Sequence, residues 1–503
     1  MQILAEALEG YELDGLFFNM FGNQNRDYSG RFVGHCRCDS CQRKYRQMFG
    51  KDIPKEPDSD YARFMFISSR EVAAEIGRLI RAKRPAAGYF NYIQEYTDGI
   101  MSESNTALTR PLPLWPYASS DNVNRARNSE PSKMSVNLNM QFVDFPWRFA
   151  TVPRNEIALR LWQNLAHGGA LAFAVNGTLD QQDRQAVETA RPIFQWAATN
   201  EQLYSSEESA ARIVLLGAAQ GSGRSFNQAS YRGMFRLLSE EHLPFAAVDN
   251  VRWIGARPVD LAIATDWAPP ELGSFVEAGG SVLLVSARPP EFKSPAVKST
   301  VANIEGYVRV RKPASFPSLS ATTLLMLNGP FTEVQADAGA PALTLVPPSM
   351  FGPPEKIHVD IRDTDTPALV EYSIGKGKVV WVPWDAAGLY YKHSLPAHAG
   401  LLKDLIDRLM PERQIRTNAH PLVEMSLMRQ GRRTLLHLVN LSGHSQTGYF
   451  DPIPMRDIRV DVEGVFMSAR THRVEGKLEV ERTRRRTSFV MPVLNDYEVI
   501  SLE

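Results

Sequence analysis

Short, almost continuously apolar segments alternate with amphipathic helical segments through the first two hundred residues, and this alternation is the feature that most restricts the fold. Five apolar segments have the length and composition of β-strands: DGLFFNMF at 14–21, AGYFNYI at 87–93, GIMSESN at 99–105, KMSVNLNMQF at 133–142 and ALAFAVNG at 170–177. Apolar residues recur at helical spacing between them, most clearly at 64–85 and 155–169. Such strands, separated by helices, predict a parallel sheet covered on both faces.

The pattern changes twice further along the chain. Strands and helices alternate again from 211 to 411, which predicts a doubly wound α/β domain, although residues 290–375 are rich in Pro, Thr and Val and show no clear period. From 417 onward, short strands follow at regular spacing without helices, which predicts a small β-sandwich. We therefore expect an α/β protein of three domains, at 1–204, 205–416 and 417–503.

The charge balance and the N-terminus restrict the class of partner. The 56 Lys and Arg residues equal the 56 Asp and Glu residues, so the chain lacks the basic excess typical of nucleic-acid-binding proteins. No apolar run approaches the roughly 18 residues that a membrane helix needs. The first residues, MQILAEALEG, show no signal-peptide pattern. We expect a cytoplasmic protein that binds neither nucleic acid nor membranes.

All three cysteines of the chain lie within six positions, in the segment HCRCDSC. Cys36, Cys38 and Cys41 have C-x-C-x-x-C spacing, so a loop can direct their sulfur atoms toward one ion. A closed structural zinc site needs four nitrogen or sulfur ligands, and the fourth would be His35, a distant group or a residue missing from this chain. The alternative is three reduced cysteines without a metal.

Two segments carry a family resemblance. YELDGLFFNMFG and the following GHCRCDSCQRKYRQMFG resemble the fourth-strand region of the glycoside hydrolase family 42 β-galactosidases and their relatives. The middle region resembles the trimerisation domain of that family, which is flavodoxin-like and similar to class I glutamine amidotransferases. The end of the chain resembles its small last domain. The resemblance implies a carbohydrate substrate, a homotrimer, and a structural zinc held by Cys36, Cys38 and Cys41.

The chain departs from the family in two respects. A (β/α)8 barrel has eight strands and typically about 250 residues, whereas residues 1–204 supply five strands. We therefore expect the last five βα units of a barrel in an N-terminally truncated chain. In addition, Asn19-Met20 occupies the place where the family has an asparagine followed by its acid/base glutamate. The nucleophile glutamate has no match in MSVNLNMQF, so neither catalytic residue transfers to this sequence.

Other carboxylates remain as candidates for chemistry. Glycoside hydrolysis usually needs two carboxyl groups beside the scissile bond, and in a barrel they lie at the carboxyl ends of strands. Glu103, near the end of GIMSESN, fits best, and Asp98 and Glu95 are the nearest partners in sequence. Asn19 follows a strand and is a candidate for binding a sugar hydroxyl. The alternative for each is an ordinary loop residue that pairs locally.

Aromatic residues follow several predicted strands. Trp115, Tyr117 and Trp147 are candidates for covering the apolar face of a sugar ring, and packing is the alternative for all three. The segment GSGR at 221–224 lacks a phosphate-loop pattern, so we interpret it as an ordinary turn.

Three functions are considered on the basis of these sequence features. The first is a glycosidase acting on β-linked sugars, similar to β-galactosidases, and the second is a non-catalytic carbohydrate-binding or assembly protein. The third, an amidotransferase, requires a nucleophilic cysteine, and residues 205–416 contain none. The absent family glutamates favour the second function, and the polar, aromatic strand ends favour the first.

Overall fold

The structure is a computed structural model that divides into two compact units. Unit 1 comprises Met1–Pro111, Glu130–Leu165 and Gly169–Ala198, and unit 2 comprises Leu112–Ser129, Ala166–Gly168 and Thr199–Glu503. The structure describes every residue except 20, 23, 28, 105–111, 218–227, 336–339, 350–351, 354 and 356–361. Met20 and the segment GSGR therefore lie outside the described residues.

The α-helices follow the amphipathic segments of the sequence. Along the chain they are α1 (Gln2–Gly10), α2 (Asp39–Phe49), α3 (Ser59–Lys83), α4 (Ala118–Ser129), α5 (Arg154–Ala166), α6 (Gln185–Thr199), α7 (Gln228–Glu240), α8 (Glu271–Glu277), α9 (Ala386–His393) and α10 (Pro396–Leu409). The longest, α3, begins where the Asp58 side chain accepts a hydrogen bond from the backbone of Tyr61. Its buried residues fall into two groups at three- and four-residue spacing, and each group packs in its own apolar cluster: Tyr61 and Phe64 in one, Ile76 and Ile80 in the other.

Unit 1 contains a strand in each of the five segments that the sequence predicts. These strands are β1 (Gly15–Phe17), β2 (Gly88–Phe90), β3 (Gly99–Ser104), β4 (Met134–Met140) and β5 (Ala170–Ala174). All of them run parallel to their neighbours, as the pair β1-β2 and as the sheet β3-β4-β5. Within the described residues neither sheet closes into a barrel, so unit 1 is a parallel α/β unit with two separate sheets.

The first part of unit 2 is built on a six-stranded sheet. Its strands are β7 (Ile213–Leu216), β8 (Phe245–Val248), β9 (Leu261–Ala264), β10 (Ser281–Val285), β14 (Val370–Ile374) and β15 (Gly377–Val382). The spatial order is β14-β15-β10-β9-β7-β8, and only the edge strand β14 is antiparallel. The chain thus places β7 between β8 and β9, which is the order of a doubly wound sheet.

A small antiparallel sheet is inserted between β10 and β14. It contains β11 (Val297–Val310), β12 (Leu324–Val334) and β13 (Leu343–Val346), in the order β12-β11-β13. Most of the first half of β11 is exposed, whereas Val308 and Val310 at its end are buried. The long hairpin therefore has one buried end.

Two antiparallel sheets form the end of the chain, and they enclose one apolar core. Their strands are β6 (Glu208–Ser209), β16 (Ile415–Thr417), β17 (Val423–Gln430), β18 (Arg433–Asn440), β19 (Met455–Glu463), β20 (Ala469–Thr471), β21 (Gly476–Leu478), β22 (Glu481–Arg482), β23 (Arg486–Leu494) and β24 (Tyr497–Leu502). The sheets have the orders β16-β19-β23-β22 and β21-β20-β24-β18-β17-β6. Leu436 and Ile500 from one sheet pack with Val460 and Phe489 from the other, which gives the β-sandwich that the sequence predicts.

In the part of the chain that the structure describes, every helix is too short or too polar to span a bilayer.

Candidate functional site

Glu103 lies near the carboxyl end of β3, where its carboxylate accepts a hydrogen bond from the hydroxyl of Tyr92. Tyr92 follows β2 and keeps 37% of its surface exposed. Its ring packs edge-to-face on Phe17, the last residue of β1, with 6.1 Å between the ring centroids. Ligands of parallel α/β folds bind at the carboxyl ends of the strands. Three successive strands therefore bring a carboxylate, a phenol and an apolar ring to the end where such ligands bind.

Buried polar side chains fix the end of β3. The guanidinium of Arg160 on α5 donates a 3.0 Å hydrogen bond to the carbonyl of Ser104 and a 2.6 Å hydrogen bond to the carboxylate of Glu156. The two charged side chains are only 7% and 0% exposed. Asn137 on β4 donates a 3.0 Å hydrogen bond to the Ser104 hydroxyl. A buried network of this kind tolerates little movement, so it restrains the residue that follows Glu103.

This network was not identified from the sequence, although β4 carries its signal. Ser135, Asn137 and Asn139 alternate with apolar residues, a pattern that indicates one solvated strand face. The structure instead buries all three residues. Asn137 donates a 2.9 Å hydrogen bond to Asn164 of α5, so a helix faces the polar side of the strand.

The other two predicted carboxylates form ion pairs. Asp98 precedes β3 and pairs with Arg81, so the five positions from Asp98 to Glu103 span about 16 Å at the rise of a β-strand. The carboxyl pairs of glycoside hydrolases are about 5 to 10 Å apart, so this spacing does not bring Asp98 to Glu103. Glu95 pairs with Arg70 at 3.2 Å, and its side chain is 57% exposed.

Two of the predicted sugar-binding residues follow strands of unit 1. Asn19 comes two residues after β1 and is exposed. Trp147 ends a short 3-10 helix, Phe145–Trp147, that follows β4, and it is 50% exposed. Phe149, which the sequence did not single out, is 58% exposed, and the guanidinium of Arg148 lies 4.9 Å from its ring centre. The link after β4 thus presents two aromatic rings to solvent.

Trp115 and Tyr117 belong instead to unit 2. Their ring centroids are 5.1 Å apart, and both rings pack against Phe235 of α7 at 5.6 and 5.5 Å. Tyr117 is only 4% exposed. The guanidinium of Arg232 lies over the Trp115 ring at 5.0 Å. The structure therefore gives these two aromatic rings a packing position, and Tyr117 keeps little surface for a sugar.

The three cysteines converge where the loop enters α2. The sulfur of Cys36 lies 3.6 Å from the sulfur of Cys38 and 3.6 Å from the sulfur of Cys41. A disulfide would place two sulfur atoms about 2.05 Å apart. Tetrahedral zinc with Zn–S bonds of about 2.3 Å places its sulfur ligands about 3.8 Å apart. The cluster therefore fits three corners of a metal-binding tetrahedron.

The thiols of this cluster differ in acidity. The backbone N–H of Cys41 lowers the pKa of the Cys38 thiol, whereas burial raises the pKa of Cys41 to about 12. His35 is buried and stacks on Tyr61 with 3.5 Å between the ring centroids, and both of its nitrogens lack hydrogen-bond partners among the described residues. Those nitrogens lie outside the group of three converging sulfur atoms.

Comparison with known proteins supports the fold. No protein-family model and no curated protein matches the sequence. Among solved structures, α-L-fucosidase isoenzyme 2 from Paenibacillus thiaminolyticus superposes with a TM-score of 0.76 at 18% identity, over 100% of this chain and 79% of that chain. A β-galactosidase from Bacillus circulans sp. alkalophilus gives 0.62 at 12% identity, over 94% and 78%.

A GH42 β-galactosidase from G. stearothermophilus gives a TM-score of 0.59 at 12% identity, over 94% of this chain and 77% of that chain. These similarities extend over nearly the whole chain at low identity, so they concern the fold alone. They confirm, for the fold, the resemblance that the sequence suggests. The chain has a fold similar to the folds of this α-L-fucosidase and of these β-galactosidases, one of which is a GH42 enzyme.

Proposed function

We propose that this protein is a glycoside hydrolase and that Glu103 provides one of its two catalytic carboxyl groups. The observation that carries this proposal is the contact between Glu103 and the Tyr92 hydroxyl at the carboxyl ends of β3 and β2. A carboxylate in this position, beside exposed aromatic rings and within a glycoside-hydrolase fold, has the chemistry and the location that the reaction requires.

The direction of this hydrogen bond favours one of the two carboxyl roles. Hydrolysis of a glycosidic bond needs one ionised carboxylate, which acts as nucleophile or base, and one protonated carboxyl group, which acts as acid. Tyr92 donates its proton to the hydrogen bond, so Glu103 serves as the acceptor. We propose the role of nucleophile or base for Glu103, because a carboxylate in that role presents acceptor oxygens of the kind that Tyr92 contacts. Asp98 and Glu95 are not proposed for the acid, because each is held in an ion pair with an arginine.

The substrate class follows from the aromatic rings and from the structural neighbours. Trp147 and Phe149 offer flat apolar surfaces of the kind that cover the C–H face of a sugar ring. Several neighbours in fold are β-galactosidases, and another is an α-L-fucosidase. We propose β-linked galactosides as substrates, with Asn19 as a hydrogen-bonding residue for a sugar hydroxyl.

The test compares two glutamates of unit 1 in the full chain. Glu103→Gln keeps the side-chain shape and removes the ionisable group, and Glu95→Gln makes the same change at an exposed carboxylate. Initial rates are measured on aryl β-galactosides, β-glucosides and α-L-fucosides. We expect Glu103→Gln to lower turnover by about a hundredfold or more, and Glu95→Gln to retain it. Equal turnover in wild type and Glu103→Gln would reject the assignment.

The rates of the wild-type protein, together with calorimetry, decide between hydrolysis and binding alone. If the wild-type protein cleaves none of these glycosides but binds galactose or lactose in calorimetry, the carbohydrate-binding alternative takes the place of the enzyme. If it neither cleaves nor binds them, the proposal fails in both forms. Circular dichroism of each variant checks that its fold is intact.

The remaining proposals concern metal and assembly. Cys36, Cys38 and Cys41 would hold a structural zinc ion, which would fix the loop before α2 without taking part in the reaction. We further propose a homotrimer, on the basis of the family resemblance of the middle region. Sedimentation velocity of the full chain tests this, and a single monomeric species at micromolar concentration would contradict it.

A further inference from the structure

A cavity lined by polar side chains and by apolar surface lies in unit 2, at the carboxyl ends of the strands of the doubly wound sheet. Its volume is about 370 Å³, near the lower limit of about 300 Å³ for small-molecule pockets. Thr265 and Asp266 follow β9, Ser286 and Arg288 follow β10, and Asp385 follows β15. In open α/β sheets, ligands bind in the crevice outside these strand ends. The cavity therefore lies where this type of sheet binds small molecules.

The inserted hairpin forms one wall of the cavity. Thr300 of β11 and Pro330 of β12 both line it. The hairpin is attached to the sheet because the backbone N–H of Thr332 donates a 2.9 Å hydrogen bond to the carbonyl of Pro383. The Thr332 hydroxyl also donates to the carbonyl of Ala287. The wall is thus tied to the segments that follow β10 and β15.

Thr265 provides the observation that points to a ligand. Its residue is only 2% exposed, and its hydroxyl makes no hydrogen bond to any described residue. Burying a hydroxyl that makes no hydrogen bond is unfavourable, and a ligand in the cavity would supply the missing hydrogen bond. The neighbouring Ser286 hydroxyl, by contrast, accepts a 2.9 Å hydrogen bond from the backbone of Arg288.

Arg288 contributes hydrogen-bond donors to the same space. Its guanidinium lies 3.7 Å from the carboxylate of Asp266, which is within ion-pair range but beyond a hydrogen bond. No described residue accepts a hydrogen bond from that guanidinium. Asp385, on the other side, accepts hydrogen bonds from the Ser230 hydroxyl and from the backbone of Gly388. The Arg288 guanidinium therefore has hydrogen-bond donors to offer a ligand in the cavity.

The lining selects a class of ligand by its charges. Asp266 and Asp385 oppose a bound anion, and Arg288 opposes a bound cation. Hydroxyl groups, which both donate and accept, match the Thr265 hydroxyl, the guanidinium and the Asp266 carboxylate together. Pro289 and Pro330 add apolar surface. A neutral ring with several hydroxyl groups and an apolar face fits all of these features.

We propose that this cavity in unit 2 binds a neutral monosaccharide through Thr265, Asp266 and Arg288. The proposal does not depend on hydrolysis at Glu103, because all of the residues that carry it belong to unit 2. A sugar bound here would be a second ligand of the chain.

The experiment uses the full-length protein with galactose, fucose and glucose as neutral probes and acetate as an anionic probe. Hydrogen–deuterium exchange locates binding, and calorimetry measures it. We expect one of the sugars to slow exchange in peptides covering residues 265–268 and 286–289. Thr265→Val keeps the shape but removes the hydroxyl, and Arg288→Met keeps the length but removes the donors. Each variant should weaken binding about tenfold.

Two controls separate this proposal from the proposed function. Arg485→Met removes an exposed arginine of the sandwich and should leave both exchange and affinity unchanged. Glu103→Gln should abolish hydrolysis and retain protection of the two peptides. Three outcomes would overturn the cavity proposal: acetate protecting these peptides where the sugars do not, sugar protection that survives both cavity variants, or no protection by any sugar at millimolar concentration.

Discussion

Arg160 and Ser104 are 56 residues apart in the chain, yet a guanidinium nitrogen of Arg160 donates a 3.0 Å hydrogen bond to the Ser104 carbonyl. Another nitrogen of the same group pairs with Glu156 in the same helix. One buried cation thus links α5 to the residue after the proposed catalytic glutamate, and its removal should affect both stability and turnover.

We predict that Arg160→Met lowers the free energy of unfolding by about 3 to 5 kcal/mol, because it removes one partner of the buried ion pair with Glu156. The double variant Arg160→Met with Glu156→Leu should be more stable than Arg160→Met alone, since it removes both charges. Urea denaturation of the two variants and the wild type measures the difference. A double variant no more stable than the single one would show that the ion pair is not the source of the loss.

The acid stability of unit 2 should depend on His242. Burial lowers the pKa of His242 to about 4, from an ordinary value of 6.5, while its ring donates to the carbonyl of His420. The unfolded chain therefore binds more protons than the folded chain between pH 4 and 6.5. Stability from this group is complete above pH 6.5 and is lost as the pH falls toward 4.

His242→Asn tests this dependence, because asparagine tolerates the positive φ of 53° at this position. The free-energy difference between wild type and variant should change by on the order of 3 kcal/mol between pH 7 and pH 4. Denaturation curves at several pH values provide the measurement. A difference that stays constant over this range would contradict the buried neutral histidine.

The cysteine cluster should hold close to one zinc ion per chain. Elemental mass spectrometry of protein purified without chelator gives the ratio of zinc to protein. Cys36→Ser and Cys41→Ser should each reduce it strongly, because each removes one of three converging sulfur ligands. His35→Gln should leave it near the wild-type value, since the His35 nitrogens lie outside the cluster. A ratio near zero in the wild type, even after refolding with zinc, would refute the metal site.

Trp147 should contribute to substrate affinity and not to the chemical step. Trp147→Ala removes an exposed ring, and we expect KM to rise about three- to tenfold while kcat changes little. Trp147→Phe keeps an aromatic face and should restore most of the affinity. If KM stays at the wild-type value in Trp147→Ala, this ring does not contact the sugar.

Much of the fold is predictable because the spacing of apolar residues within one strand or helix can be read from a short stretch of sequence. Short apolar segments between helical segments predict strands β4 and β5. Short strand-like segments at regular spacing, separated by turns, predict β17 and β18. The hairpin of β11 and β12 was not predictable, since the first half of β11 is exposed on both faces and has no apolar period.

The candidate site was only partly predictable for a related reason. Glu103 stands at a strand end that the sequence identifies, but its contact with Tyr92 joins two strands. Asn137 shows a second reason why the sequence alone was insufficient. Alternation in β4 marks a polar face, and only the position of α5 shows that this face is buried. The roles of Trp115 and Tyr117 likewise depend on α7, whose contacts with them the local sequence does not encode.

The inserted hairpin also has a consequence for how the protein is made. It separates β10 from its parallel neighbour β15, so that Ser281 pairs with Lys378 about 100 residues later. A loop of this length adds little to the equilibrium cost of closing the sheet, because that cost grows only with the logarithm of length. It delays closure, since pairing between distant strands is slow. A ribosome must therefore synthesise the whole insertion before β15 can join the sheet, and the cavity beside Thr265 is completed only after most of unit 2 has been translated.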